Sequence, residues 1–113
     1  MLGAIELISG IIQRVIRGAG ADQAVHEPHL DTGRPVIGPP IPGWQRLVEL
    51  VKSAAAVFVG IRTQSWDVAL TDQGQVFLEV NFGGDLNLAQ LANGKGVLDE
   101  GYIEHLRECG YRI

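Results

Sequence analysis

The 113-residue chain has one cysteine, two lysines and no continuous apolar run near the roughly 18 residues that a membrane span requires. Each scarcity excludes something. Cys109 has no partner for an internal bridge, which fits a reducing compartment and gives the expectation of a cytoplasmic location. The apolar opening from Met1 to Ile12 starts without Lys or Arg and is interrupted by Glu6, so it reads neither as a secretion signal nor as a membrane anchor. Nine basic residues against 13 acidic ones leave a net charge of −4, the opposite of the basic footprint of a nucleic-acid binder. What is present is ordinary: 46% hydrophobic and 19% charged residues, expected to form a single domain over 1–113. A globule of this size removes roughly two-thirds of its unfolded surface from water, so stability alone forces neither a disulfide nor a structural metal.

Two β-rich runs, Ala4 to Ile8 and Ile11 to Arg17, meet at Ser9-Gly10 and predict a hairpin. The stretch from Gly18 to Pro42 holds all five prolines, which breaks any long helix and permits only short extended pieces around Ala24 to Pro28 and Pro35 to Gly38. From Trp44 to Phe58 the apolar residues Trp44, Leu47, Val48, Val51, Ala54, Ala55 and Phe58 recur at helical spacing, predicting an amphipathic helix closed by Gly60. Ser65 to Thr71 and Gln75 to Asn81 read as strands around an Asp72-Gln73-Gly74 loop. Short helices follow over about Leu86 to Asn93 and Asp99 to Cys109, stopped by Gly94 and Gly110. The order predicts an α+β fold, an antiparallel sheet with helices packed on one side.

The second hairpin carries the chemistry. A three-residue loop at 72–74 sets Thr71 opposite Gln75, and counting back along both strands places Asp67 opposite Glu79. Alternation puts Asn81 on the same face and sends Val76, Leu78 and Val80 to the other side with Trp66, Val68 and Leu70. Two carboxylates about 5 Å apart at an effective dielectric of about 20 repel by roughly 3 kcal/mol, so the pair calls for compensation by a shared proton, an arginine or a cation. Two carboxylates and an amide oxygen are the hard oxygen ligands that Mg²⁺ prefers, with Ca²⁺ as the alternative ion. Magnesium keeps waters and takes substrate phosphates into its octahedron, so an incomplete cage of this kind suits a nucleotide-bearing metal. The bland alternative is a solvated hairpin face whose charges keep an edge strand soluble.

The segments Trp66-Asp67-Val68-Ala69-Leu70 and Val76-Phe77-Leu78-Glu79-Val80-Asn81 resemble the metal-binding hairpin that closes the ATP-grasp fold. Asp31-Thr32-Gly33, Ile41-Pro42-Gly43-Trp44 and Asp85-Leu86-Asn87-Leu88-Ala89-Gln90 are similar to the sugar-transfer-associated ATP-grasp group, and the resemblance runs from about Glu6 to Gly110. It implies the C-terminal portion of an ATP-grasp domain, with Asp67, Glu79 and Asn81 holding Mg²⁺ (or Mn²⁺) on the phosphates of ATP. The activity that the resemblance implies is the activation of a carboxylate as an acyl phosphate. The upstream lysines, adenine-binding connection and Gly-rich phosphate loop of that fold have no counterpart here. Gly84 and Asp85 stand where related ligases carry Pro and Gly. The resemblance therefore implies a ligase-like piece that does not act alone, whose nucleotide and carboxylate substrate bind once the clamp is completed.

Four further residues are candidate ligands of the nucleotide phosphates. Gly83 and Gly84 offer backbone N–H groups ahead of a helix to an anionic group, or equally form a glycine turn that lets Asp85 cap the helix. Arg17 ends a strand before Gly18-Ala19-Gly20, and Arg62 shortly precedes the metal hairpin, where it could neutralise Asp67 or a phosphate. His26, His29 and Asp31 are candidate transition-metal ligands, against which Pro28 breaks the helix that would align the two rings. Cys109 lies on the apolar stripe of the last helix with Ile103 and Leu106, which favours packing over nucleophilic chemistry, and His105 is expected to face solvent. No residue is assigned a catalytic role. The second functional reading is a non-catalytic truncated or split module: a chain starting at Met1-Leu2, almost inside a strand, leaves an open sheet edge for another copy or a partner polypeptide. No nucleic acid and no membrane is expected as a partner.

Overall fold

A computed structural model describes residues 1–18, 20–25 and 28–113. The α+β class holds, with the antiparallel strands divided between two sheets. Two compact units form, Met1–Pro42 with Leu86–Ile113, and Gly43–Asp85.

In the first unit β1 (Leu2–Ile5) pairs with β2 (Ile12–Arg17), which pairs with β3 (Ala24–Val25). The first strand stops earlier than its apolar run predicts, because Glu6 folds the chain. Its carboxylate accepts the N–H groups of Ile8 at 3.1 Å and Ser9 at 2.6 Å, so Leu7 and Ile8 lie exposed in the turn instead of continuing the strand. Ala4, Val15 and Ile16 are buried, and α2 (Leu86–Asn93) packs on β1 and β2 with its own Ala92 buried. The proline-rich segment is tied down by backbone hydrogen bonds: Gly38 N–H to Ile12 O, Ile41 N–H to Gly10 O, and a turn in which His29 N–H bonds Arg34 O. Of its predicted extended pieces, β3 and a Pro28–Pro35 bridge are present, while His26 and Glu27 lie outside the described residues. The last helix, α3 (Glu100–Glu108), begins on Asp99, whose carboxylate accepts the Tyr102 N–H.

In the second unit α1 (Trp44–Ala55) shows the predicted division, with Leu47 buried and Gln45, Arg46, Glu49, Lys52 and Ser53 exposed. It ends three residues before Phe58. The N–H groups of Val57 and Phe58 bond Ala54 O and Ala55 O, a tighter winding than the α-helix. Phe58 instead packs on Trp66 and Phe82, with ring centroids 5.9 and 5.3 Å apart. The second sheet is the hairpin of β4 (Ser65–Thr71) and β5 (Gly74–Asn81). Among the described residues no helix is long and apolar enough to cross a membrane.

Candidate functional site: the β4–β5 hairpin

The turn is one residue tighter than the sequence predicts. Thr71 pairs with Gly74, its hydroxyl donating to Gly74 O at 2.8 Å and accepting the Gln73 N–H at 3.2 Å, which closes the hairpin on Asp72 and Gln73 alone. That shift by itself would move Glu79 out of register with Asp67. A β-bulge restores it: Val68 faces Phe77 while Asp67 faces Glu79, so Leu78 is the extra residue on β5. Asp67 is thus opposite Glu79 as expected, and Asn81 is opposite Ser65.

The bulge also corrects the assignment of faces. Phe77 joins Trp66, Val68 and Val80, with the Trp66 and Phe77 rings 4.8 Å apart, whereas Val76 and Leu78, expected in the core, are exposed at 47% and 68%. Leu70, also expected there, is 48% exposed. Trp66 is half-buried in the aromatic group and donates its indole N–H to Gln64 Oε1 at 3.1 Å, satisfying the polar end of the ring.

On the polar face Asp67, Glu79 and Asn81 are all exposed. Asn81 Nδ2 donates to Glu79 Oε1 at 2.6 Å, which draws the amide and one carboxylate together. Among the described residues neither Asp67 nor Glu79 has an ion-pair partner. Exposure to water and salt reduces the repulsion between them well below the value for a dielectric of about 20. Chemically the set fits a hard divalent cation: every available atom is oxygen except the amide nitrogen, and no arginine or lysine neutralises the carboxylates. It is an open set of two carboxylates, and no cluster of three or more His, Cys, Asp or Glu able to hold a metal occurs among the described residues.

The other candidates are placed as follows. Gly83 and Gly84 follow β5. Gly84 has φ +51°, and a Cβ there would collide with the Ser65 side chain, so the close passage of the chain over β4 requires glycine. Arg62 is exposed between α1 and β4 and engages a neighbouring residue. Arg17 is exposed at the end of β2, in the first unit, paired through its backbone with Ala24. His29 Nδ1 accepts the Asp31 N–H at 3.3 Å, a local turn contact, while His26 lies outside the described residues. Cys109 is half-buried with Sγ 3.7 Å from His105 Nε2, and His105, expected in solvent, is half-buried near Tyr102. One arrangement that sequence reasoning missed is Arg14, whose guanidinium caps α2. The only hint in the sequence is Gly94, whose lack of a side chain admits it.

Comparison with known families gives a match over residues 2–106 to the family described as sugar-transfer associated ATP-grasp. No curated protein and no solved structure matches.

Proposed function

The chain belongs to the sugar-transfer associated ATP-grasp family, and from that premise we propose that it is the Mg²⁺-binding C-terminal portion of a carboxylate ligase-like protein. The single observation carrying this reading is the pairing of Asp67 with Glu79, with Asn81 hydrogen-bonded to Glu79, on an exposed face free of ion-pairing cations among the described residues. Asp67, Glu79 and the Asn81 side-chain oxygen would hold the ion. When bound with ATP, magnesium neutralises phosphate charge and polarises the transferred phosphoryl group. The residues here act by orientation. The bulge at Leu78 fixes Glu79 across from Asp67, the Trp66–Phe77 contact holds the hairpin's other face, and Asn81 restrains the Glu79 carboxylate. Activation of a carboxylate through an acyl phosphate is the reaction that the resemblance implies, performed with an ATP clamp that these residues do not supply.

Thermal melting with and without millimolar Mg²⁺ or Mn²⁺ tests the proposal. Ligand linkage predicts metal-dependent stabilisation of the parent chain and its loss in Glu79→Gln. Identical melting of the two at every metal concentration removes the assignment.

A second reading, a module that pairs with another copy or a partner polypeptide, is favoured by one observation. Among the described residues the β4–β5 sheet has two strands, each with a single neighbour, and a two-stranded sheet is marginal without further cover. Sedimentation equilibrium separates the readings, since self-pairing predicts a mass that rises with concentration.

A further inference from the structure

The first unit holds an open surface groove of about 600 Å³ beside β2 and α2. Its polar lining is Arg14, Lys95, Gln23, Asn87 and Gln90, with no Asp or Glu. In a chain of net charge −4 this is a local concentration of two positive charges and three amides.

Arg14 is held in place rather than waving in solvent. Its Nη1 donates to Leu91 O at 2.6 Å and Ala92 O at 2.7 Å, satisfying two carbonyls near the end of α2. Gly94, at φ +68°, is what lets the chain close over the guanidinium: a Cβ there would lie 3.1 Å from Arg14 Cζ. One nitrogen is thus committed to the helix, and the guanidinium retains Nε and Nη2 as donors, with no carboxylate paired to it among the described residues. Gln90 accepts the Val97 N–H through Oε1 at 3.4 Å, which leaves its amide nitrogen as a donor. Lys95 stands between Gly94 and Gly96 in the lining of the groove and makes no ion pair among the described residues.

The geometry points to this groove as a binding site for the anionic group of a small molecule, a carboxylate or a phosphate, gripped by Arg14 and Lys95 and oriented by the amides. An adjoining recess of about 360 Å³ shares Lys95 and Gly96 but is also lined by Asp99, whose negative charge opposes an anion; the Arg14 side is the favoured seat. The site uses residues of the first unit only and stands whether or not Asp67 and Glu79 hold a metal.

Amide NMR on the full chain, titrated separately with inorganic phosphate and with succinate, tests it. The expected result is saturable shifts of the Gly94, Lys95 and Gly96 N–H signals with at least one probe. Lys95→Gln weakens that binding by about fivefold or more, and Lys52→Gln, at the chain's other lysine, leaves it unchanged. The probe that saturates at the lower concentration identifies phosphate or carboxylate as the recognised group. Absence of saturable shifts with both probes, or saturation of Lys95→Gln at the parent's concentrations, overturns the inference.

Discussion

Asp67 on β4 faces Glu79 on β5, and the residue that makes this pairing possible is Leu78, which has no partner across the ladder. The bulge transfers Phe77 to the aromatic side and leaves Leu78 outside. Phe77→Ala is therefore expected to cost about 2 kcal/mol, below the range for a fully buried ring, because Phe77 is half-buried. Leu78→Ser is expected to stay within about 0.5 kcal/mol of the parent. Urea denaturation measures both; a larger loss for Leu78→Ser than for Phe77→Ala contradicts the bulged register.

The facing carboxylates predict that Asp67→Asn stabilises the metal-free chain by about 0.5 kcal/mol at low ionic strength, the scale of like-charge cross-strand pairs. The gain should fade as salt is raised, because both groups are exposed. Melting in the presence of a chelator at two salt concentrations checks this. A loss of stability would instead mean that Asp67 serves a protein-internal contact.

Gly84 passes over Ser65 at positive φ. Gly84→Ala is expected to cost about 2 kcal/mol, and combining it with Ser65→Ala should recover most of the steric part, because the Ser65 hydroxyl is the nearest obstacle. About 1 kcal/mol then remains, from the left-handed backbone conformation. A double-mutant cycle by chemical denaturation measures the partition, and purely additive single effects would contradict the contact.

Hydrogen bonding holds the Glu6 carboxyl below its ordinary pKa of 4.5, through the Ser9 hydroxyl first and then the backbone N–H groups of Ser9 and Ile8. A depressed folded-state value means that the turn's contribution is fully present above 4.5 and is lost as pH falls through the lowered value. Hydrogen exchange at the Ile8 and Ser9 amides should accelerate over that acidic window relative to its intrinsic rate. In Glu6→Gln this extra pH dependence should be absent.

Much of this was legible in the sequence because it rests on short-range patterns. Apolar spacing located α1, glycines marked the ends of α2 and α3, and strand alternation with a turn signal located β4 and β5. The Asp67–Glu79 pairing emerged although two local details differed: the Thr71 hydroxyl tightened the turn by one residue and the bulge at Leu78 returned it. Such compensation depends on how the Phe58, Trp66, Phe77 and Phe82 rings pack together, a tertiary property that counting along two strands does not contain. The end of β1 departs from its apolar run for a related reason. Leu7 and Ile8 have strand propensity, but the Glu6 carboxylate offers the Ile8 and Ser9 N–H groups a competing set of acceptors. Arg14 is not legible in the sequence because its partners, Leu91 and Ala92, are remote and are backbone carbonyls, which leave no side-chain signature.

The proposed site gathers a divalent cation between Asp67, Glu79 and Asn81. Paramagnetic broadening by Mn²⁺ in amide NMR tests it most directly. Substoichiometric Mn²⁺ is expected to broaden the signals of Asp67, Glu79, Asn81 and their immediate neighbours first, excess Mg²⁺ to restore them, and Glu79→Gln to abolish the selectivity. Uniform broadening over all exposed acidic residues, or broadening unchanged in Glu79→Gln, would contradict it.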